Sequence, residues 1–79
     1  MTSADRRAVQ KELLSALVEA RKVSGLTQSE LAARLQRSQS FVAKYEMGER
    51  KLDVVDYVLV CRALAIEPGS LLDKLALRT

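Results

Sequence analysis

The stretch from Gly25 to Gly48, GLTQSELAARLQRSQSFVAKYEMG, decides how this chain is read. Thr27-Gln28-Ser29-Glu30 has the form of a capping box, in which the threonine hydroxyl accepts from the amide three residues on and the glutamate returns to the threonine amide. A helix therefore starts here. Leu31 and Leu35 form an i, i+4 apolar stripe, and Ala32 and Ala33 keep the adjoining surface low enough for a close helix crossing. Ser38 is the next N-cap, Val42 and Tyr45 form a second stripe at i, i+3, and Gly48 is a natural stop. Two helices, the first about two turns long, are expected on either side of the very short turn Gln36-Arg37.

With Val42 and Tyr45 inward on a wheel of about 100° per residue, Ser40, Ala43, Lys44 and Met47 point outward, with Gln39 at one flank and Phe41 at the other. The outward set is small or polar. Gln reads adenine edges bidentately, Lys donates to guanine, Ser donates or accepts, and Ala allows close approach or touches a thymine methyl. These are base-reading residue types on a helix of a size to enter a DNA major groove. Phe41 is open to two roles, a packed rim position or a thymine-methyl contact, whereas Tyr45 continues the inward stripe.

Arg21, Gly25-Leu26-Thr27-Gln28, Glu30-Leu31-Ala32, Val42, Glu46 and Gly48 together make the chain resemble the phage-repressor and Cro-like regulators, the XRE type, over roughly Leu17 to Leu75. The resemblance implies an all-α, five-helix bundle of the lambda-repressor-like DNA-binding type, with helices 2 and 3 as the helix-turn-helix. It also implies roles. Gln28 would hold a phosphate and help orient the next helix; Gln39, Ser40, Ala43 and Lys44 would face bases; Arg21 and Glu46 would form a buried or half-buried ion pair. Two positions depart from the family pattern: Gln36 and Ala65 stand where glycine is expected. A left-handed non-glycine residue costs on the order of 1 kcal/mol.

The chain's 79 residues suggest one domain, 1–79, with no room for a separate ligand-sensing or catalytic unit. Low aromatic content, 4%, and a single proline favour helices over a sheet. No apolar run approaches the roughly 20 residues of a membrane span, and MTSADRRAVQ lacks the apolar core of a signal peptide. A cytoplasmic location is expected. Cys61, the lone cysteine, lies in an apolar stretch and reads as a buried structural thiol.

The net charge of +3 is informative through its location. Between Arg34 and Lys51, Arg34, Arg37, Lys44, Arg50 and Lys51 face only Glu46 and Glu49, so the whole excess lies in and just after the second helix. Such a footprint suits a phosphate backbone. Gln28, Arg37, Ser38, Arg50 and Lys51 are the candidate phosphate contacts.

Before the motif, a first helix is expected from about Ala4 to Val23, capped by Thr2 or Ser3, with Val9, Leu13, Ala16, Leu17 and Ala20 on one stripe and Leu14 and Val18 beside it. It starts earlier than the family pattern requires. Arg6, Arg7 and Lys11 on that extension are either DNA contacts or a solvated basic end balanced by Asp5 and Glu12. After a loop at 49–52, Asp53 caps a fourth helix running to about Leu64, with Val54, Val58, Cys61 and Leu64 as its inward candidates. Val55, Leu59 and Val60 are an apolar surplus. Glu67-Pro68-Gly69-Ser70 restarts the chain, and Leu71, Leu72, Leu75 and Leu77 follow. The surplus near the C-terminus reads as a subunit interface, with Leu71, Leu72 and Leu75 as its candidates, and the resemblance implies a homodimer.

Catalysis lacks its parts. The chain has no histidine, paired cysteines, glycine-rich phosphate loop, GxSxG or HExxH pattern. Neither a metal nor another cofactor is expected. The expected function is sequence-specific binding of double-stranded DNA by a dimeric transcriptional regulator, a repressor acting at a two-fold operator. A protein-interaction module, such as the antitoxin bound to a toxin, is the alternative.

Overall fold

Four helices begin and end by the same two devices. The computed structural model describes residues 1–76, and places α1 at Ser3–Val23, α2 at Gln28–Leu35, α3 at Gln39–Glu46, α4 at Val54–Ala63 and α5 at Pro68–Ala76. Extended residues Thr2, Thr27, Ser38 and Asp53 precede the first four, and each side chain accepts from the amide three residues on. The capping boxes at Thr2 and Thr27 are complete, with Asp5 and Glu30 returning to the cap amides at 2.8 and 2.9 Å. Glu67 serves α5 differently: its carboxylate accepts from the Gly69 and Ser70 amides at 3.0 and 2.6 Å, which holds its pKa below the usual carboxylate range.

At the other ends, paired backbone bonds close Schellman turns. Gly25 N–H donates to Lys22 O and Leu26 N–H to Arg21 O; the same pattern runs from Gln36 to Ala33 and Arg37 to Ala32, from Gly48 to Tyr45 and Glu49 to Lys44, and from Ala65 to Arg62 and Ile66 to Cys61. The turn needs a left-handed residue, supplied by Gly25 (φ 73°), Gln36 (55°), Gly48 (80°) and Ala65 (56°). The two departures from glycine therefore leave the turn geometry in place.

The helices pack α2 on α3 and α4, α1 on α3 and α5, and α4 on α5. Leu17, Leu31, Val42, Tyr45, Val60 and Cys61 are fully buried at the centre. Burial pushes the Cys61 thiol up, as expected of a structural cysteine. The chain has no helix, among the described residues, long and apolar enough to cross a membrane.

Two expectations about the core are corrected. Val54, expected inward, is 77% exposed; the buried face of α4 is Tyr57, Val60, Cys61 and Leu64, with Val58 only partly covered. That set follows the i, i+3, i+4, i+7 spacing of one helical stripe, while Val54 sits in the first turn beside the open loop. Tyr57 can enter the core because its hydroxyl donates to Pro68 O at 2.7 Å. Val9, expected on the buried stripe of α1, is 53% exposed. Every residue from Met1 to Val9 is exposed, so the start of α1 extends past the packed core. Leu77 lies outside the described residues.

Replacing Gln36 or Ala65 by glycine relieves a left-handed side chain at the cost of a more flexible unfolded chain. Each substitution is expected to raise stability by about 0.5–1 kcal/mol, and the Tm by a few degrees, in thermal unfolding followed by circular dichroism.

Candidate nucleic-acid interface

A buried charge sets the position of α3. Arg21, on the last turn of α1, is 9% exposed and directs its guanidinium at the end of α3. Its Nε donates to Glu46 Oε2 at 2.7 Å and its Nη2 to Oε1 at 3.1 Å, a bidentate pair. Nη1 donates to Leu26 O at 2.8 Å, so the same side chain also ties down the connection into α2. Hydrogen bonding to Glu46 raises the Arg21 pKa, against a smaller opposing effect of burial.

Gln28 continues this polar line outward. Its Nε2 donates to Glu46 Oε1 at 2.8 Å, and its Oε1 accepts from Gln39 Nε2 at 2.8 Å. Arg21, Glu46, Gln28 and Gln39 thus form one connected chain from α1 through α3 and α2 back to the first residue of α3. The primary amides of Gln28 and Gln39 each keep a second N–H, and Gln39 keeps its Oε1. Gln39 can therefore present one donor and one acceptor while its other N–H is held by Gln28.

Beyond Gln39 the outward face of α3 is open. Ser40, Lys44 and Met47 are exposed and Ala43 is half-buried, while Phe41, Val42 and Tyr45 are buried. Of the two roles open to Phe41, the ring takes the packed one: it is 6% exposed and lies edge-on to Tyr45, with centroids 5.6 Å apart. Among the described residues the buried Tyr45 hydroxyl has no hydrogen-bond partner, and burial raises its pKa well above the usual phenol range. It stays neutral throughout the physiological range.

The candidate phosphate contacts lie around α3 with different degrees of freedom. Ser38 is exposed, and its Oγ accepts from Phe41 N–H at 3.2 Å while the hydroxyl proton remains available. Arg37 is drawn toward α4, where its Nη1 lies 3.4 Å from Asp56 Oδ1. Arg50 and Lys51 are exposed in the loop after α3. Arg34, part of the same basic stretch, turns away to donate to Ala63 O at 3.2 Å. The early part of α1 also approaches this region: Arg7 and Lys11 line one groove with Met47 and Gly48, and Arg6 and Arg7 line another with Lys51 and Leu52.

Sequence reading did not reach the Gln28–Gln39 bond or Asp56. Both depend on how helices cross: Gln28 and Gln39 are 11 residues apart, and Arg37 and Asp56 are 19 apart. The surviving signal was only that Gln28 opens α2 and Gln39 opens α3.

The chain can be set beside known proteins. A family model described as a helix-turn-helix domain matches residues 6–75. An XRE-family like protein from Pseudomonas syringae pv. tomato str. DC3000 has a solved structure that is 49% identical, covers 90% of this chain and 87% of its own, and superposes with a TM-score of 0.87. Two crystal structures of the clp gene regulator ClgR from Corynebacterium glutamicum are 26% identical, cover 86% of this chain and 87% or 72% of theirs, and give TM-scores of 0.76. No curated protein matches the chain.

Removing one partner of a buried pair leaves a buried charge alone, at a cost of about 3–5 kcal/mol. Glu46→Ala is expected to lose stability in that range by chemical denaturation. Replacing both partners, Arg21→Met with Glu46→Leu, is expected to recover most of the loss.

Proposed function

Because the chain belongs to the XRE-type helix-turn-helix family, we propose that it is a dimeric transcriptional repressor that binds double-stranded DNA in a sequence-specific way. The observation that carries the reading is the outer face of α3: Gln39, Ser40, Ala43 and Lys44 lie together, with Gln39 already held by Gln28. Inserted in the major groove, Gln39, Ser40 and Lys44 discriminate bases by about 1–3 kcal/mol for each good pairing, and Ala43 permits close approach. Gln28 through its second N–H, together with Arg37, Ser38, Arg50 and Lys51, holds phosphates and fixes register. Residues 1–79 act as one DNA-binding domain in the cytoplasm, with α1 extended at its start and the C-terminal helices used for dimerisation. Neither cofactor nor catalysis enters this mechanism.

Two copies present two α3 helices to a two-fold operator, with half-sites about 10 base pairs apart. Leu71 packs against the core and Leu75 is half-buried, whereas Leu72 is 48% exposed. Among the proposed leucines, Leu72 is therefore the one most available to a second copy. Val54, Val55 and Leu59 on α4 are also exposed, and they favour a second reading in which the chain is a protein-interaction module such as the antitoxin of a toxin–antitoxin pair.

Selection from a random duplex library at physiological salt is expected to enrich a two-fold motif. Gln39→Ala and Lys44→Ala should each change preference at particular positions, while Arg50→Ala weakens binding to all sequences alike. Unchanged affinity and preference in both helix variants would remove α3 from base reading. Absence of any enriched motif would move the weight to the protein-partner reading.

In sedimentation at micromolar concentration, the wild type is expected to be a dimer and Leu72→Glu a monomer. A monomeric wild type would count against self-association through this region.

A further inference from the structure

The turn before α3 and the loop after it each send an arginine to the same ring. Arg37 Cζ lies 3.9 Å from the centroid of Phe41, and Arg50 Cζ lies 5.0 Å from it. The attachment points of both side chains are fixed: Arg37 N–H donates to Ala32 O at 3.0 Å, and Arg50 N–H donates to Lys44 O at 3.2 Å. The ring is fixed as well, buried beside Tyr45.

Each guanidinium is drawn to the negative face of an aromatic ring. Two cations gathered at one ring nevertheless repel each other, and their surroundings hold little to offset this. Among the described residues Asp56 is the one carboxylate paired with either arginine, at 3.4 Å from Arg37, and no carboxylate pairs with Arg50. The site therefore carries surplus positive charge and several unused N–H donors beside the helix that meets DNA.

We propose that Arg37, Phe41 and Arg50 form a clamp for a single phosphate of the duplex backbone, with Phe41 as a positioning residue that holds both guanidiniums ready. This rests on the DNA-binding reading above and deepens it, by assigning two arginines to one phosphate and a buried aromatic residue to their placement. The phosphate takes the place of Asp56 at Arg37 and supplies the anion that the pair lacks. Lysine at either position would supply charge without the planar fork that lies over the ring and engages phosphate through paired N–H groups.

The test is fluorescence anisotropy with a labelled duplex of arbitrary sequence, about 30 base pairs long, titrated between about 50 and 200 mM salt. Two separate phosphate contacts would lower the slope of log K against log salt by about 1.8 in the Arg37→Ala, Arg50→Ala double variant, whereas one shared phosphate lowers it by about 0.9. The smaller change is expected. Phe41→Leu keeps both charges and is expected to weaken duplex binding about fivefold, with circular dichroism confirming that it remains folded. If Phe41→Leu does not fold, the double-variant slope decides. Loss of the full 1.8, or a folded Phe41→Leu that binds as the wild type does, overturns the clamp and leaves the DNA reading standing. A wild type with no salt-dependent duplex binding overturns both.

Discussion

The bidentate contact between Arg21 and Glu46 joins the end of the longest helix, α1, to the end of α3. Apolar burial brings α1 and α3 together, but it is non-directional and tolerates small rotations. A planar guanidinium meeting a carboxylate does not. Because both charged groups are largely withdrawn from water, every remaining polar atom near them needs a defined partner. Leu26 O and the Gln28 amide fill that requirement, and each belongs to a different part of the chain. Breaking such a pair is costly although its net worth against an apolar replacement is small, so its fixed geometry is what distinguishes it from the apolar contacts around it.

Orientation reaches the surface through amides rather than charges. Gln28 spends one donor on Glu46 and one acceptor lone pair on Gln39, so the first outward residue of α3 is aligned before any ligand arrives. Such alignment lowers the side-chain entropy that any further contact at Gln39 would cost. The basic stretch around α3 is also less uniform than its sequence suggests. Arg34 serves the end of α4 and Arg37 leans on Asp56, while Lys44 and Lys51 remain exposed. Formal charge in the sequence counts all of these equally, but the field at the surface does not.

Much of this was legible in the residues. Thr27 with Glu30, Ser38, Asp53 and Gly48 mark helix ends through contacts that span only a few positions, so sequence and structure agree closely there. The outward face of α3 followed from Val42 and Tyr45 for the same local reason. α4 was harder, because Val54, Val55, Val58, Leu59, Val60 and Cys61 leave no clear polar side from which to orient the helix. Tyr57 decides the matter by entering the core, and the acceptor for its hydroxyl is the Pro68 carbonyl in the next turn. Nothing in the composition of α4 announces that acceptor. The extension of α1 is helical as its sequence indicates, but Val9 lies outside the core, since amphipathic spacing cannot reveal where neighbouring helices stop.

The repeated helix endings have a consequence for how the chain reaches this structure. Each start is written within three residues and each stop within a span of five, so the limits of four helices are specified before distant segments meet. Loop closure between successive helices is correspondingly inexpensive in entropy. Helical domains organised in this way belong to the low-contact-order regime, in which folding takes about microseconds to milliseconds. The ends are set locally, but α2 and α3 are only eight residues long each, so these helices gain their stability as they dock on their neighbours rather than before.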